Sequence, residues 1–285
     1  MPTKEKLLDF PAEVLEPILQ LSIVCNQQSV PFYLIGAMAR DILFQRAGLK
    51  PRRLTQDLDF AIAIKTWNNF EKLADSLGQQ GFNRSKNSHR FRFKNTLPVD
   101  IVPFGEIADQ NQQIAWPPDQ TFVMSVLGFS EGYEMAESIV FKNSVTIKVA
   151  NLEGLLALKL ISWGDRHEQR DAEDIGLILS FLYMLDDRLE EKLYKDHQDL
   201  INVEHPSLSN ALAGVIGRVL LERCEERTRK KLISILEKES QEGIESPLLK
   251  GMVKQSESEE KTVEEYIQML RALLNGLKNL SSKES

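Results

Sequence analysis

Three carboxylates and one glycine turn are the groups in this 285-residue chain best suited to chemistry. Asp57 and Asp59 stand two apart at the head of an apolar run, Leu58-Asp59-Phe60-Ala61-Ile62-Ala63-Ile64. Side chains alternate along a strand, so both acids share one face while Leu58, Phe60, Ile62 and Ile64 share the other. Ala61 and Ala63 continue the acidic face and leave room above the backbone. Two like charges at this spacing repel unless a cation joins them. A hard divalent ion such as Mg2+ suits two carboxylates together with substrate phosphates. Asp100 interrupts another apolar run, Pro98-Val99-Asp100-Ile101-Val102, and a buried acid needs a partner. On a neighbouring strand it would face Asp57 and Asp59 with Cβ atoms about 4.5–5.5 Å apart. Three such acids can hold two ions about 3.5–4 Å apart.

The elements that must position these groups are readable around them. Residues 32 to 35 form a short apolar run that stops at Gly36-Ala37 and is followed by an amphipathic segment over 38 to 46. The pattern is strand, turn, helix, loop, strand. A helix starting at Gly36 would offer backbone N–H groups and a positive dipole end, a site for phosphate. Residues 12 to 29 and 66 to 79 read as amphipathic helices, Pro17 kinking or restarting the first. Period-two alternation over 81 to 104 predicts a hairpin with its turn near Asn95-Thr96. Residues 105 to 122 are polar and read as a surface loop, and 122 to 129 and 138 to 149 as further strands.

These residues carry a resemblance. Gly36 followed by a small residue, a helix holding Arg40-Asp41, and Asp57-x-Asp59 on a strand resemble the nucleotidyltransferase superfamily of DNA polymerase β. The Gly36-x-x-x-Arg40-Asp41 portion is similar to tRNA CCA-adding enzymes, and the downstream pattern resembles AbiEii/AbiGii toxin-type nucleotidyltransferases. Ala37 replaces the second Gly or Ser of the pattern, keeping the N–H and losing a hydroxyl. The resemblance implies an α/β (α+β) fold, a palm-like mixed sheet with flanking helices over 1–150, and an all-helical domain over 151–285 that completes the nucleotide site. It implies catalytic, metal-binding roles for Asp57, Asp59 and Asp100 with two Mg2+ ions. Gly36, Ala37, Arg40, Lys159, Asp171 and Asp174 would bind the nucleotide, ATP or another NTP.

From Asn151 the pattern is almost wholly helical. Residues 152 to 163 place Leu152, Leu155, Leu156, Lys159, Leu160 and Trp163 on one stripe, where an unpaired ammonium is costly. Lys159 either snorkels or is a cation aimed at the site's phosphates or carboxylates. Replacing it with Met is expected to weaken NTP binding without lowering stability. Asp171 and Asp174 share a helical face; Asp171 also reads as an N-cap or first-turn acid, and Asp174 as a partner of Arg170. Further helices are expected over 184–196, 207–226, 227–240 and 261–280, with turns such as His205-Pro206, and a polar tail follows Leu280.

Composition bounds the rest. Hydrophobic content of 42% and charged content of 27% are those of a globular chain. A net charge of −7 argues against nucleic-acid binding over the whole surface but allows a local basic groove. Between Asp75 and Asp100 there are five Lys or Arg and no acid. Arg90, Arg92 and Lys94 are expected on one strand face, with Lys50, Arg52 and Arg53 as a second cluster. Such a patch suits an RNA backbone such as a tRNA end. Two cysteines, Cys25 and Cys224, are too few for a disulfide framework. No long apolar run appears, so a cytoplasmic protein without a membrane segment is expected. The function expected is Mg-dependent transfer of NMP from NTP to a hydroxyl, with RNA as acceptor, pyrophosphate leaving, and a toxin-type role opposed by a protein antitoxin. The alternatives are a transferase for a small-molecule or protein hydroxyl, and a nucleotide-binding interaction protein on the same fold.

Overall fold

The computed structural model describes residues 10–50, 57–85, 89–141, 145–201, 207–253 and 262–279. Arg52, Arg53, Lys86, the His205-Pro206 turn and the tail after Leu280 lie outside these. The chain forms two compact units, Met1–Asn151 and Leu152–Ser285.

The first unit is built on a seven-stranded mixed sheet, ordered β3-β4-β5-β2-β1-β9-β8. Its strands are β1 (Phe32–Ile35), β2 (Leu58–Ala63), β3 (Phe82–Arg84), β4 (Arg90–Phe93), β5 (Leu97–Phe104), β8 (Glu137–Val140) and β9 (Thr146–Val149). β2 runs antiparallel to β1 and parallel to β5, while β9 pairs parallel with β1. The central strands are buried: Tyr33, Leu34, Phe60, Ala61, Ile62, Phe91, Val99 and Ile101 are fully enclosed. Helices α1 (Ala12–Gln27), α2 (Gly36–Arg46), α3 (Trp67–Gln79) and α4 (Phe129–Met135) accompany the sheet. Thr66 caps α3 by accepting from the Asn69 N–H at 3.3 Å, and Phe70, Leu73, Ala74 and Leu77 supply its buried side.

The middle of this unit departs from the expected pattern. Residues 105 to 122 are not only loop, because β6 (Gln113–Ala115) pairs with β7 (Val123–Ser125) in a separate two-stranded ribbon. Trp116 lies in a buried aromatic cluster with Trp67 and Phe70, at ring separations of 5.0 and 5.5 Å. One large aromatic fixes a segment whose neighbours are polar. Val123 to Ser125 therefore serve the ribbon and not the main sheet, while β8 and β9 join the latter, β9 beside β1 and β8 at the edge.

The described residues of the second unit hold helices and no strand. They are α5 (Leu152–Arg166), α6 (Gln169–Ser180), α7 (Leu182–Leu185), α8 (Asp187–Asp196), α9 (Leu208–Arg223), α10 (Glu226–Glu242), α11 (Pro247–Val253) and α12 (Val263–Leu277). α11 was not separated by the sequence pattern. α9 and α12 pack backbone against backbone: a Cβ at Gly217 would sit 2.2 Å from the Leu273 carbonyl, and one at Gly276 2.2 Å from the Gly214 carbonyl. A capping box between Thr262 and Glu265 starts α12. Trp163 projects its indole N–H to Glu239, 2.8 Å away, and Glu239 also accepts from the Ser246 hydroxyl at 2.5 Å. No described helix is long and apolar enough to cross a membrane. Both cysteines are buried, and burial pushes the Cys25 thiol up to about 12.

Candidate active site

The acids are brought together by strand order. β2 lies between β1 and β5, so Asp59 stands opposite Ile35 on one side and Asp100 on the other. In-register neighbours put their side chains on the same face. Asp59 and Asp100 thus flank one spot, and Asp57, just before β2, is two residues away along the same face. Gly36 closes the spot. Its φ is +69°, a conformation that favours glycine, and a Cβ there would lie 2.1 Å from Asp59 Oδ2. The strand-to-helix turn therefore rests directly on the Asp59 carboxylate. Ala37, half-buried, follows as the second residue of α2.

A cation is built into this cluster. Arg90 on β4 stands opposite Asp100 on β5. It donates two hydrogen bonds, Nε to Oδ1 at 2.7 Å and Nη2 to Oδ2 at 2.6 Å, so both oxygens of Asp100 are engaged. These hydrogen bonds hold the guanidinium well above its ordinary pKa, and the charges of Asp100, Asp57 and Asp59 act in the same direction. His89, next in the chain, is lowered mainly by its burial and further by Arg90, while Asp100 opposes the shift. Its Nδ1 is buried without a hydrogen-bond partner, and its ring lies 5.8 Å from those of both Trp116 and Phe122. Among the described residues, no three His, Cys, Asp or Glu side chains are arranged to hold a metal ion. Asp100, expected as the third metal-site carboxylate, bonds Arg90 through both of its oxygens. The donors still suit a hard divalent cation in kind: carboxylates on adjacent strands, crowded by like charge.

The remaining expected cations are distributed differently from the sequence reading. Arg40 is buried and bonded to its neighbour Asp41, Nε at 3.0 Å and Nη2 at 2.6 Å. Lys94 is not on the strand: β4 ends at Phe93, and Lys94 and Asn95 take φ of 48° and 62° in the turn. The Phe93 carbonyl closes that turn by accepting from the Thr96 N–H at 3.0 Å. Lys94 Nζ reaches Glu16 Oε1 at 2.5 Å. Arg84 likewise pairs with Glu71 at 2.7 Å. Of the trio Arg90, Arg92 and Lys94, only Arg92 remains as an exposed cation on that strand face.

In the second unit, α5 and α6 hold a buried ionic cluster. Lys159, 12% exposed, lies 3.1 Å from Asp171 and 2.6 Å from Asp174, both deeply buried. Arg166 also donates to Asp171, at 2.8 and 3.1 Å. Burial works against the Lys159 charge, but Asp174 and Asp171 outweigh it and raise its pKa. Asp171 is a first-turn acid of α6, whose N-cap is Glu168. The snorkelling alternative is replaced by a paired lysine. The expectation that Lys159→Met leaves stability unchanged is corrected, since it would strip a counter-charge from two buried carboxylates.

Arg90 and His89 are the site residues that sequence reasoning misplaced or missed. The signal lay in hairpin arithmetic: a turn over Lys94 to Thr96 pairs Phe93 with Leu97, and counting back puts Arg90 opposite Asp100.

Several solved structures resemble the chain in part. An antigenic nucleotidyltransferase-like protein from Paracoccidioides brasiliensis matches with 16% identity and a TM-score of 0.39, over 69% of this chain and 91% of that one. The antibiotic-resistance factor ANT(2'')-Ia matches with 11% identity and a TM-score of 0.37, over 65% of this chain and 95% of that one. A tRNA nucleotidyltransferase, solved with a primer tRNA and an incoming ATP analogue, matches with 15% identity and a TM-score of 0.31, over 83% and 59%. No curated protein matches the chain. A family model for the nucleotidyl transferase AbiEii toxin of type IV toxin–antitoxin systems matches residues 18–269, and the chain belongs to that nucleotidyltransferase family.

Proposed function

We propose that the protein transfers an NMP from an NTP to a hydroxyl of RNA, with divalent metal, at the acid cluster of the first unit. The observation that carries this reading is the register of Asp59 with Asp100, with Gly36 lying against Asp59. Asp57, Asp59 and Asp100 would hold Mg2+. When bound, the metal neutralises charge that develops on the transferring phosphoryl group. The chain's own residues do the rest. The turn at Gly36 and Ala37 presents N–H groups at the start of α2 to the phosphates. Asp100 accepts the proton of the attacking hydroxyl as that oxygen bonds to the α-phosphorus and pyrophosphate leaves. The RNA acceptor is supported by Arg92, exposed two residues from Arg90, with Lys50 as a further exposed cation. A toxin-type role opposed by an antitoxin belongs to the same proposal.

The test is incubation of purified protein with each radiolabelled NTP, Mg2+ and total RNA. Label is expected in an RNA species, and Asp100→Ala should lower its rate by about 10²–10⁴-fold while the variant stays folded. Label in a protein or small molecule instead would overturn the acceptor, and wild-type rates in Asp59→Ala and Asp100→Ala would overturn the site.

A further inference from the structure

The bidentate Arg90–Asp100 pair is unusual in its position. It occupies the acid that the proposed transfer needs for metal and proton, and it engages both oxygens of that acid at 2.7 and 2.6 Å. A carboxylate keeps spare lone pairs when it binds arginine. A guanidinium and a dication crowded on one carboxylate nevertheless repel strongly at such distances. Departure of one of them relieves that repulsion. The side chain that can leave is Arg90, which is 37% exposed while Asp100 is 13% exposed. Its backbone stays fixed in the β4–β5 ladder, so swinging the guanidinium outward breaks no strand pairing and opens no cavity in the core.

We propose that Arg90 is a resident counter-cation, seated on Asp100 until a divalent metal displaces it, so that metal entry and arginine release are one event. This rests on the reading of the acids as a metal site. Without metal, the guanidinium cancels part of the mutual repulsion of Asp57, Asp59 and Asp100 and lets them share one face of the sheet. With metal, that task passes to the ion. Metal affinity is then lower than the bare acids would give, by whatever the Arg90 pair contributes.

The experiment measures Mn2+ binding to the full chain by the loss of the free-ion EPR signal, without nucleotide or turnover. Arg90→Met is expected to bind Mn2+ about twofold to fivefold more tightly than wild type, the worth of a partly exposed pair. Arg92→Met removes the same charge from the same strand and is the control for long-range electrostatics; its affinity should change much less. In parallel, the Arg90 Nε–H NMR resonance, assigned by its absence in Arg90→Lys, should shift and exchange faster with solvent as Mg2+ saturates the site. Weaker or unchanged Mn2+ binding in Arg90→Met, equal tightening in Arg92→Met, or an unmoved Nε–H signal at saturating Mg2+ would each overturn the displacement. Absence of Mn2+ binding in wild type and every variant would overturn the metal site itself, and the displacement with it.

Discussion

At the residue scale, two positions decide opposite questions. Gly36 combines a positive φ with a van der Waals surface already filled by Asp59. Gly36→Ala should therefore cost about 1–3 kcal/mol of stability from strain and overpacking and remove transfer activity. Chemical denaturation and the labelled-NTP assay check the two halves, and a fully active, fully stable variant would show that the turn does not rest on the acid. Lys159 asks whether a buried cation is structural. Lys159→Met leaves Asp171 and Asp174 without their shared ammonium and is expected to destabilise by about 3 kcal/mol, toward the low end for a broken buried pair because Arg166 still covers Asp171. The sign of the pH dependence follows from the raised lysine. A group whose pKa is higher in the folded state contributes fully below its ordinary value of 10.5 and loses that contribution as pH rises through its folded value. The Lys159→Met deficit should accordingly be flat from pH 6 to 9 and shrink only above 10.5, as read from denaturation midpoints.

At the scale of elements, legibility depended on whether a segment's partner was local. α1, α3 and α5 were readable because their apolar spacing is their own: Phe70, Leu73, Ala74 and Leu77 mark one side of α3 without reference to anything else. The β4–β5 hairpin was readable for the same reason, since its turn is short. The ribbon of β6 and β7 was not, because Gln113, Ile114 and Ala115 carry little periodicity and are held by a distant pairing and by Trp116. Within the site, the acids declared themselves by interrupting apolar runs. Arg90 did not, because its partner lies ten residues on and only the register reveals it. Helix packing was likewise hidden. Gly214, Gly217 and Gly276 read as weak helix residues, yet they allow α9 and α12 to touch through their backbones. Gly276→Ala must push these helices apart and is expected to cost about 3 kcal/mol or more, visible as a lowered urea midpoint. A neutral result would mean that the two backbones are farther apart than they lie here.

At the scale of the whole molecule, the acceptor proposed above is a polyanion, while the chain carries a net charge of −7 and, among the described residues, few exposed cations near the acids. RNA association should depend on salt only weakly, since each phosphate contact adds about 0.7 to the slope of log affinity against log salt. Arg92→Gln should reduce that slope by about one such step, measured by fluorescence anisotropy of labelled RNA between low and moderate salt. A slope unaffected by Arg92→Gln would remove this side chain from the RNA contact. The same economy of charge gives the β4–β5 turn a meaning beyond shape. From Lys94 to Arg90 and from Thr96 to Asp100 the distance is counted in whole residues, and one added residue would exchange the two faces of β4. Arginine would then face the apolar interior and Phe91 the solvent. The hairpin is fixed in length, so insertion tolerance across a library of variants should collapse at Asn95, and among point changes there Gly and Asp should be accepted best, since its φ is 62°.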